Sequence, residues 1–160
     1  MVFPFKKYFD FSSSPPEDED PPYYAPLLAG DYAAAVPLLQ QAIHQEDGHA
    51  MGVMASLLAM GRGVEQNIDE AALWFRQAAV RGDVLGQTAF GLCLATGHGV
   101  DKDPQEGAYW LFRAATAGHR TAAESLGDLV LKDQSLVGKH FSMDDVAQLI
   151  RRLRKSSTVH

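Results

Sequence analysis

The sequence predicts an all-α fold, a solenoid of helix hairpins with about eight helices, and three observations carry that prediction. Residues 61–82 recur at 97–118, thirty-six positions on, without a gap. Gly61, Gly63, Val64, Glu70, Ala72, Trp74, Ala78, Ala79 and Gly82 meet identical residues at Gly97, Gly99, Val100, Glu106, Ala108, Trp110, Ala114, Ala115 and Gly118. Average residue usage would give about one or two such matches. A period of this size marks an array in which each unit is one supersecondary motif stacked on the next. Between the glycine turns, apolar residues fall at helical spacing.

The elements follow in chain order. Residues 1–23 form a separate segment in which Phe3, Phe5, Tyr8, Phe9 and Phe11 surround Lys6, Lys7 and Asp10. A run of serine, proline and acid follows, Ser12 to Pro22. That run buries too little apolar surface to offset its ordering entropy, so it is expected to be extended or disordered. The aromatic cluster ahead of it reads equally as a docking peptide or as a loose terminus. The repeat domain is expected over 24–155, with full units at 48–83 and 84–119, degenerate ends at 24–47 and 120–155, and a tail at 156–160. Asp31 reads as an N-cap. Tyr32, Ala35, Val36, Leu39, Ala42 and Ile43 give a helical stripe in which Pro37 should produce a bend or mark a late start. Leu38 to Ile43 aligns with Trp74 to Ala79, which makes this a degenerate second helix of an earlier unit.

Gly48 to Met60 supplies the first helix of the first full unit, and Gly61-Arg-Gly-Val64 its turn, where a left-handed residue must end the helix. Asp69 and Glu70 open the second helix at the positive end of its dipole. The second unit repeats the plan, with Pro104 at the first helical position, where its missing N–H costs nothing. Arg120 to Lys132 is the first helix of a third copy, whose turn lacks Gly-x-Gly-Val. Ser142 to Asp145 reads as a capping box opening a helix over Val146–Lys155, striped by Val146, Leu149, Ile150 and Leu153. Ends that drift from consensus are expected of caps, one face of which meets water.

Composition excludes several classes of function. Hydrophobic residues make up 46% and charged residues 21%, ordinary values for a globular protein, and the net charge of −6 opposes binding to nucleic acid through bulk electrostatics. A single cysteine, Cys93, permits no intrachain disulfide. No apolar run approaches a membrane span and the start does not read as a secretory signal, so a cytoplasmic location is expected.

The pattern carried by Gly61, Gly63, Val64, Ala72, Trp74, Ala78, Ala79 and Gly82, and by their partners from Gly97 to Gly118, resembles a Sel1-like repeat, a relative of the tetratricopeptide repeat. Residues 50–82 and 86–118 are two good copies. Ala55 stands where the family has a helix glycine, and Asn67 where it has an acidic residue. The resemblance implies a right-handed α/α superhelix that binds proteins or peptides, usually without catalysis. It also implies a bacterial adaptor or immunity protein that binds and neutralises, or chaperones, a toxin or effector. The alternative is an oligomeric scaffold, such as a homodimer, presenting its N-terminal segment to a signalling or envelope partner.

First helices line the concave face of such stacks, which points to Gly52, Ser56 and Met60, then Thr88, Leu92 and Thr96, then Glu124, Asp128 and Lys132 as a protein-binding stripe. Gly61, Gly63, Trp74, Gly82, Gly97, Gly99, Trp110 and Gly118 are read as structural anchors. His44, His49, His98, His119, His140 and His160 never pair at helical spacing, so no metal site is expected and solvated loops are their simplest account. Cys93 falls on a buried step, away from the basic, exposed setting a reactive thiol needs. Gly61-x-Gly and Gly97-x-Gly follow helices and lack a third glycine, so they are no dinucleotide fingerprint. No catalytic residue, cofactor or membrane contact is expected. Arg151-Arg-Leu-Arg-Lys155 is the one basic cluster; it suits a helix C-terminus and could pair with the acidic run Glu17–Asp20, within one chain or between two.

Overall fold

The structure, a computed structural model, describes residues 20–156. The readings of the N-terminal aromatic and Ser/Pro/acidic stretches, of His160 and of the tail fall outside those residues, apart from Asp20 and the short stretch that follows it. Among the described residues there are eight α-helices: α1 (Tyr24–Leu28), α2 (Tyr32–His44), α3 (Gly48–Met60), α4 (Ile68–Val80), α5 (Val84–Thr96), α6 (Pro104–Thr116), α7 (Arg120–Lys132) and α8 (Met143–Ser156). A single 3₁₀ turn, Gln134–Leu136, lies between α7 and α8. Helices α2 to α7 are each 13 residues long. Starts of α2, α4 and α6 fall at 32, 68 and 104, and those of α3, α5 and α7 at 48, 84 and 120, both series stepping by the sequence period. Helix α2 thus starts in the register of α4 and α6, and Pro37 lies inside it without ending it.

Local chemistry sets the helix ends. Asp31, Asp47, Asn67, Asp83, Asp103 and His119 each accept a backbone N–H with the side chain at an N-cap, which satisfies a donor the helix cannot. Ser142 and Asp145 form the reciprocal box at α8: Ser142 Oγ accepts from Asp145 N–H at 3.2 Å, and Asp145 accepts from Ser142 N–H at 2.7 Å. The helix begins at Met143, three residues before the sequence reading placed it. Pro104 occupies the first turn of α6.

The two glycine turns match bond for bond. Gly61 and Gly97 end α3 and α5 in the left-handed conformation, with φ of 63° and 77°. Arg62 N–H then bonds to Leu57 C=O and His98 N–H to Cys93 C=O; Asn67 N–H bonds to Leu58 C=O and Asp103 N–H to Leu94 C=O. Gly63 and Gly99 meet a different demand. Besides positive φ, a Cβ at Gly63 would lie 2.7 Å from the Tyr32 carbonyl carbon, and one at Gly99 2.5 Å from Ile68 O. Each turn therefore presses on the first residue of the second helix in the preceding unit, and glycine is needed because backbone occupies the space.

Packing follows the repeat. Helices α3 and α5 sit in the middle of the stack and bury ten of their thirteen residues each, whereas α7 buries five. Phe75 in α4 and Leu111 in α6 hold equivalent slots and are fully buried, each stabilising the fold by about 1.5–3 kcal/mol relative to an exposed side chain. Trp110 is buried edge-on to Phe90 of α5 with centroids 5.8 Å apart, while Trp74 is half-buried. Both indoles lie one helical turn from a glutamate of their own helix, Glu106 at 3.2 Å and Glu70 at 3.5 Å. In the third unit Leu136 occupies the register of Val64 and Val100 and is buried; Gln105 Nε2 donates to its carbonyl at 3.1 Å. Phe141 stacks on Phe112 at 4.8 Å, and these two contacts replace the glycine turn.

Candidate functional site

An open cleft of about 420 Å³ lies between the C-terminal halves of α5 and α7, with the start of α6 behind it. Leu92, Ala95, Leu111, Leu129 and Leu136 supply an apolar floor, and Lys102, Asp128, Lys132 and Asp133 a charged rim. Geometry explains why the cleft opens here. Helix α5 is flanked by full-length helices on both sides, but the turn after α7 is irregular and leaves the last first-helix partly uncovered. Four residues of the sequence-derived stripe line this cleft: Leu92, Thr96, Asp128 and Lys132. Thr96 donates to Leu92 C=O at 2.7 Å, so its hydroxyl is largely committed to its own helix.

The rest of the stripe is not a continuous outward face. Gly52, Ser56 and Thr88 are buried. Ser56 Oγ donates to Gly52 C=O at 2.8 Å, and a Cβ at Gly52 would sit 2.8 Å from Asp83 Oδ2. A central first helix is enclosed on all sides, so the four-residue spacing that reaches solvent in α7 points inward in α3. Met60 is half-buried at the end of α3, outside the cleft, and Glu124 is exposed and paired with Arg120 at 3.1 Å. The cleft also contains Lys102, Leu129, Asp133 and Leu136, which sequence reasoning did not select. Their signal was the register: Leu129 shares the column of Leu57 and Cys93, and Leu136 that of Val64 and Val100.

A second polar feature occupies the N-terminal ends of the first helices. His49 Nδ1–H donates to Asp83 Oδ1 at 3.0 Å, and Tyr24 hydroxyl lies 2.9 Å from His49 Nε2, so one imidazole ties α1 to the cap of α5. The Tyr23 hydroxyl donates to Asp47 at 3.1 Å. Burial, reinforced by Asp47, pushes the Tyr23 phenol well above its ordinary range. Burial alone would lower the His49 pKa, but the hydrogen bond and charge of Asp83, with Asp47 beyond, outweigh it and the net shift is upward. His119 differs. Its Nδ1 accepts from Ala122 N–H at 3.2 Å and lies 3.2 Å from Thr88 Oγ1, and burial lowers its pKa despite Asp83 nearby.

Solvated loops therefore do not account for His49 and His119, which are built into helix starts. The overlooked signal is that Asp47, Asp83 and His119 stand at 36-residue intervals. Cys93 is buried, and burial pushes its thiol up to about 12. Among the described residues no helix is long and apolar enough to cross a membrane.

The stack and its cleft define a class, the α/α solenoids of helix hairpins, which present a groove between successive first helices. Residues 48–83 and 85–119 match the family model for the Sel1 repeat, so the chain contains two Sel1 repeats. Solenoids of this family typically serve protein–protein interaction. The crystal structure of a Sel1 repeat protein from Oxalobacter formigenes is similar, with a TM-score of 0.72 and 26% identity, over 83% of this chain and 54% of that one. So is that of a protective antigen present in uropathogenic Escherichia coli strains and displaying an SLR fold, with a TM-score of 0.66 and 25% identity, over 78% of this chain and 26% of that one. The present chain thus spans about half or less of the solved relatives it resembles. No curated protein matches the sequence.

Proposed function

We propose that this protein is a non-catalytic binding module that holds a segment of a protein partner in the cleft between α5 and α7. The observation that supports this is the combination of a leucine floor with a mixed-charge rim, Lys102 and Lys132 beside Asp128 and Asp133, in an open groove. An apolar anchor flanked by charge fits such a groove, and exposed rim charges govern register and on-rate more than affinity. The partner is a toxin or effector of a bacterial cell, which the protein masks as an adaptor or immunity protein. Family resemblance and the net charge of −6, which suits a basic partner, support that finer reading.

The test is co-purification from the source cell with identification of the partner, followed by isothermal titration with the purified pair. Asp128→Lys combined with Lys132→Glu, both at exposed positions, should weaken binding at least tenfold with an unchanged circular dichroism spectrum. Arg76→Glu, in α4 and outside the lining of the cleft, should leave it unaltered. Binding lost in Arg76→Glu and retained in the double variant would move the site away from the cleft.

A further inference from the structure

Among the described residues of this acidic chain, helix α8 carries the one dense run of positive charge, and it borders a groove. Between α6 and α8 lies an open depression of about 490 Å³, floored by Phe112 and Leu149 and edged by Arg151, Arg152 and Lys155. Arg152 Nη2 donates to Thr116 C=O at 3.4 Å, which draws its guanidinium over the edge of the depression. One acid, Asp145, also borders it, but that carboxylate is engaged with the Ser142 cap. The site is thus an apolar floor under a cationic rim, and its complement is an acidic peptide with an apolar or aromatic anchor.

The same chain contains such a peptide. Glu17-Asp-Glu-Asp20 follows Phe11 by a few residues. We propose that the α6–α8 groove of one copy receives the Glu17–Asp20 stretch of a second copy, joining the chains head to tail. Reach excludes the version within one chain. Glu17 is three residues from Asp20, and three extended residues span about 10 Å. Asp20 leads into α1, which packs on α2 and bonds to the start of α3, whereas α8 packs on α7 and α6. From α1 through α3, α5 and α7 to α8, with neighbouring axes 8–10 Å apart, the separation is roughly 25 Å or more. Opposite charges at opposite ends of a stack give a heterologous contact, which adds copies in one direction. Exposed charge pairs are screened by salt, so the contact is strongest at low ionic strength.

Sedimentation velocity on the full chain tests this. At 50 mM NaCl the weight-average mass should rise above the 17.4 kDa monomer with concentration, and 500 mM NaCl should return it to the monomer. Arg151→Glu with Arg152→Glu should abolish association, as should Glu17→Lys with Glu19→Lys, each with an unchanged helical spectrum. A mixture of the two variants should associate again, because each supplies the end the other has lost. A wild-type mass independent of concentration at 50 mM NaCl would overturn the proposal. So would association that survives the arginine reversal, or a mixture that stays monomeric. Binding of phosphatidylserine vesicles that is lost in Arg151→Glu/Arg152→Glu, without self-association, would assign the groove to a membrane surface and equally overturn it.

Discussion

Replacing Gly99 by alanine separates what a turn glycine does for its own backbone from what it does for the stack. Gly99 and Gly82 both have positive φ, 71° and 89°. A Cβ at Gly82 would find nothing within 4 Å, whereas one at Gly99 would lie 2.5 Å from Ile68 O and 3.0 Å from Ala72 Cβ. Gly82→Ala should therefore cost only the left-handed backbone, about 1–2 kcal/mol. Gly99→Ala adds overpacking against a main-chain oxygen that has no rotamer to escape into, about 1–3 kcal/mol more. The total of about 2–5 kcal/mol leaves a domain of ordinary stability folded. Urea denaturation followed at 222 nm reads the difference. With a slope of about 2 kcal/mol/M, Gly99→Ala should lower the midpoint by about 1–2.5 M and Gly82→Ala by about 0.5–1 M. A repeat array weakened at one internal contact should also unfold less cooperatively, seen as a shallower transition in Gly99→Ala alone. Equal midpoint shifts in the two variants would refute the claim that the second turn glycine holds one unit to the next.

Two further outcomes follow from titrating groups. His49 has its folded pKa raised above 6.5, so its contribution is complete below pH 6.5 and fades as pH rises through the raised value. His119 has its folded pKa lowered, so its contribution is complete above pH 6.5 and fades as pH falls through the depressed value. Stability measured by urea midpoint should peak near pH 6.5; His49→Gln should flatten the falling limb above it, and His119→Asn, which keeps a capping side chain, the rising limb below it. Cys93, with its thiol pushed up to about 12, should not react with Ellman's reagent at pH 8 in the native protein and should react fully in urea. Prompt native-state labelling would show that α5 opens locally.

How much of this could be read from the sequence depends on whether a property belongs to one unit or to the stack. Helix lengths, caps and left-handed turn residues are set by chemistry within a few residues, so α3, α5 and α7 and their turns follow directly from the period. Exposure does not. Ser56, Thr88 and Asp128 share one helical spacing, yet the first two are enclosed by neighbouring helices and the third is exposed beside the irregular turn after α7. The cleft owes its existence to that irregular turn, which the regular repeat does not encode. The histidines mislead for a similar reason: His49 and Asp83 are 34 residues apart, and His119 and Thr88 are 31 apart, distances that become contacts only when one unit lies on the next. Capping positions could have been recovered by comparing Asp47, Asp83 and His119 in register; the tyrosines that reach them from α1 could not.

The contact made by Gly63 and Gly99 gives the array a direction of growth. Each turn is received by the unit before it and needs nothing from the unit after it. An additional copy of thirty-six residues inserted between full units would find its receiving backbone already in place and would offer the same backbone to its successor. Length in such a protein changes in whole periods, each added unit needing glycine where its turn meets the receiving backbone. In the third unit Ser135 stands in the register of Gly63 and Gly99, and a 3₁₀ turn takes the place of the glycine turn there.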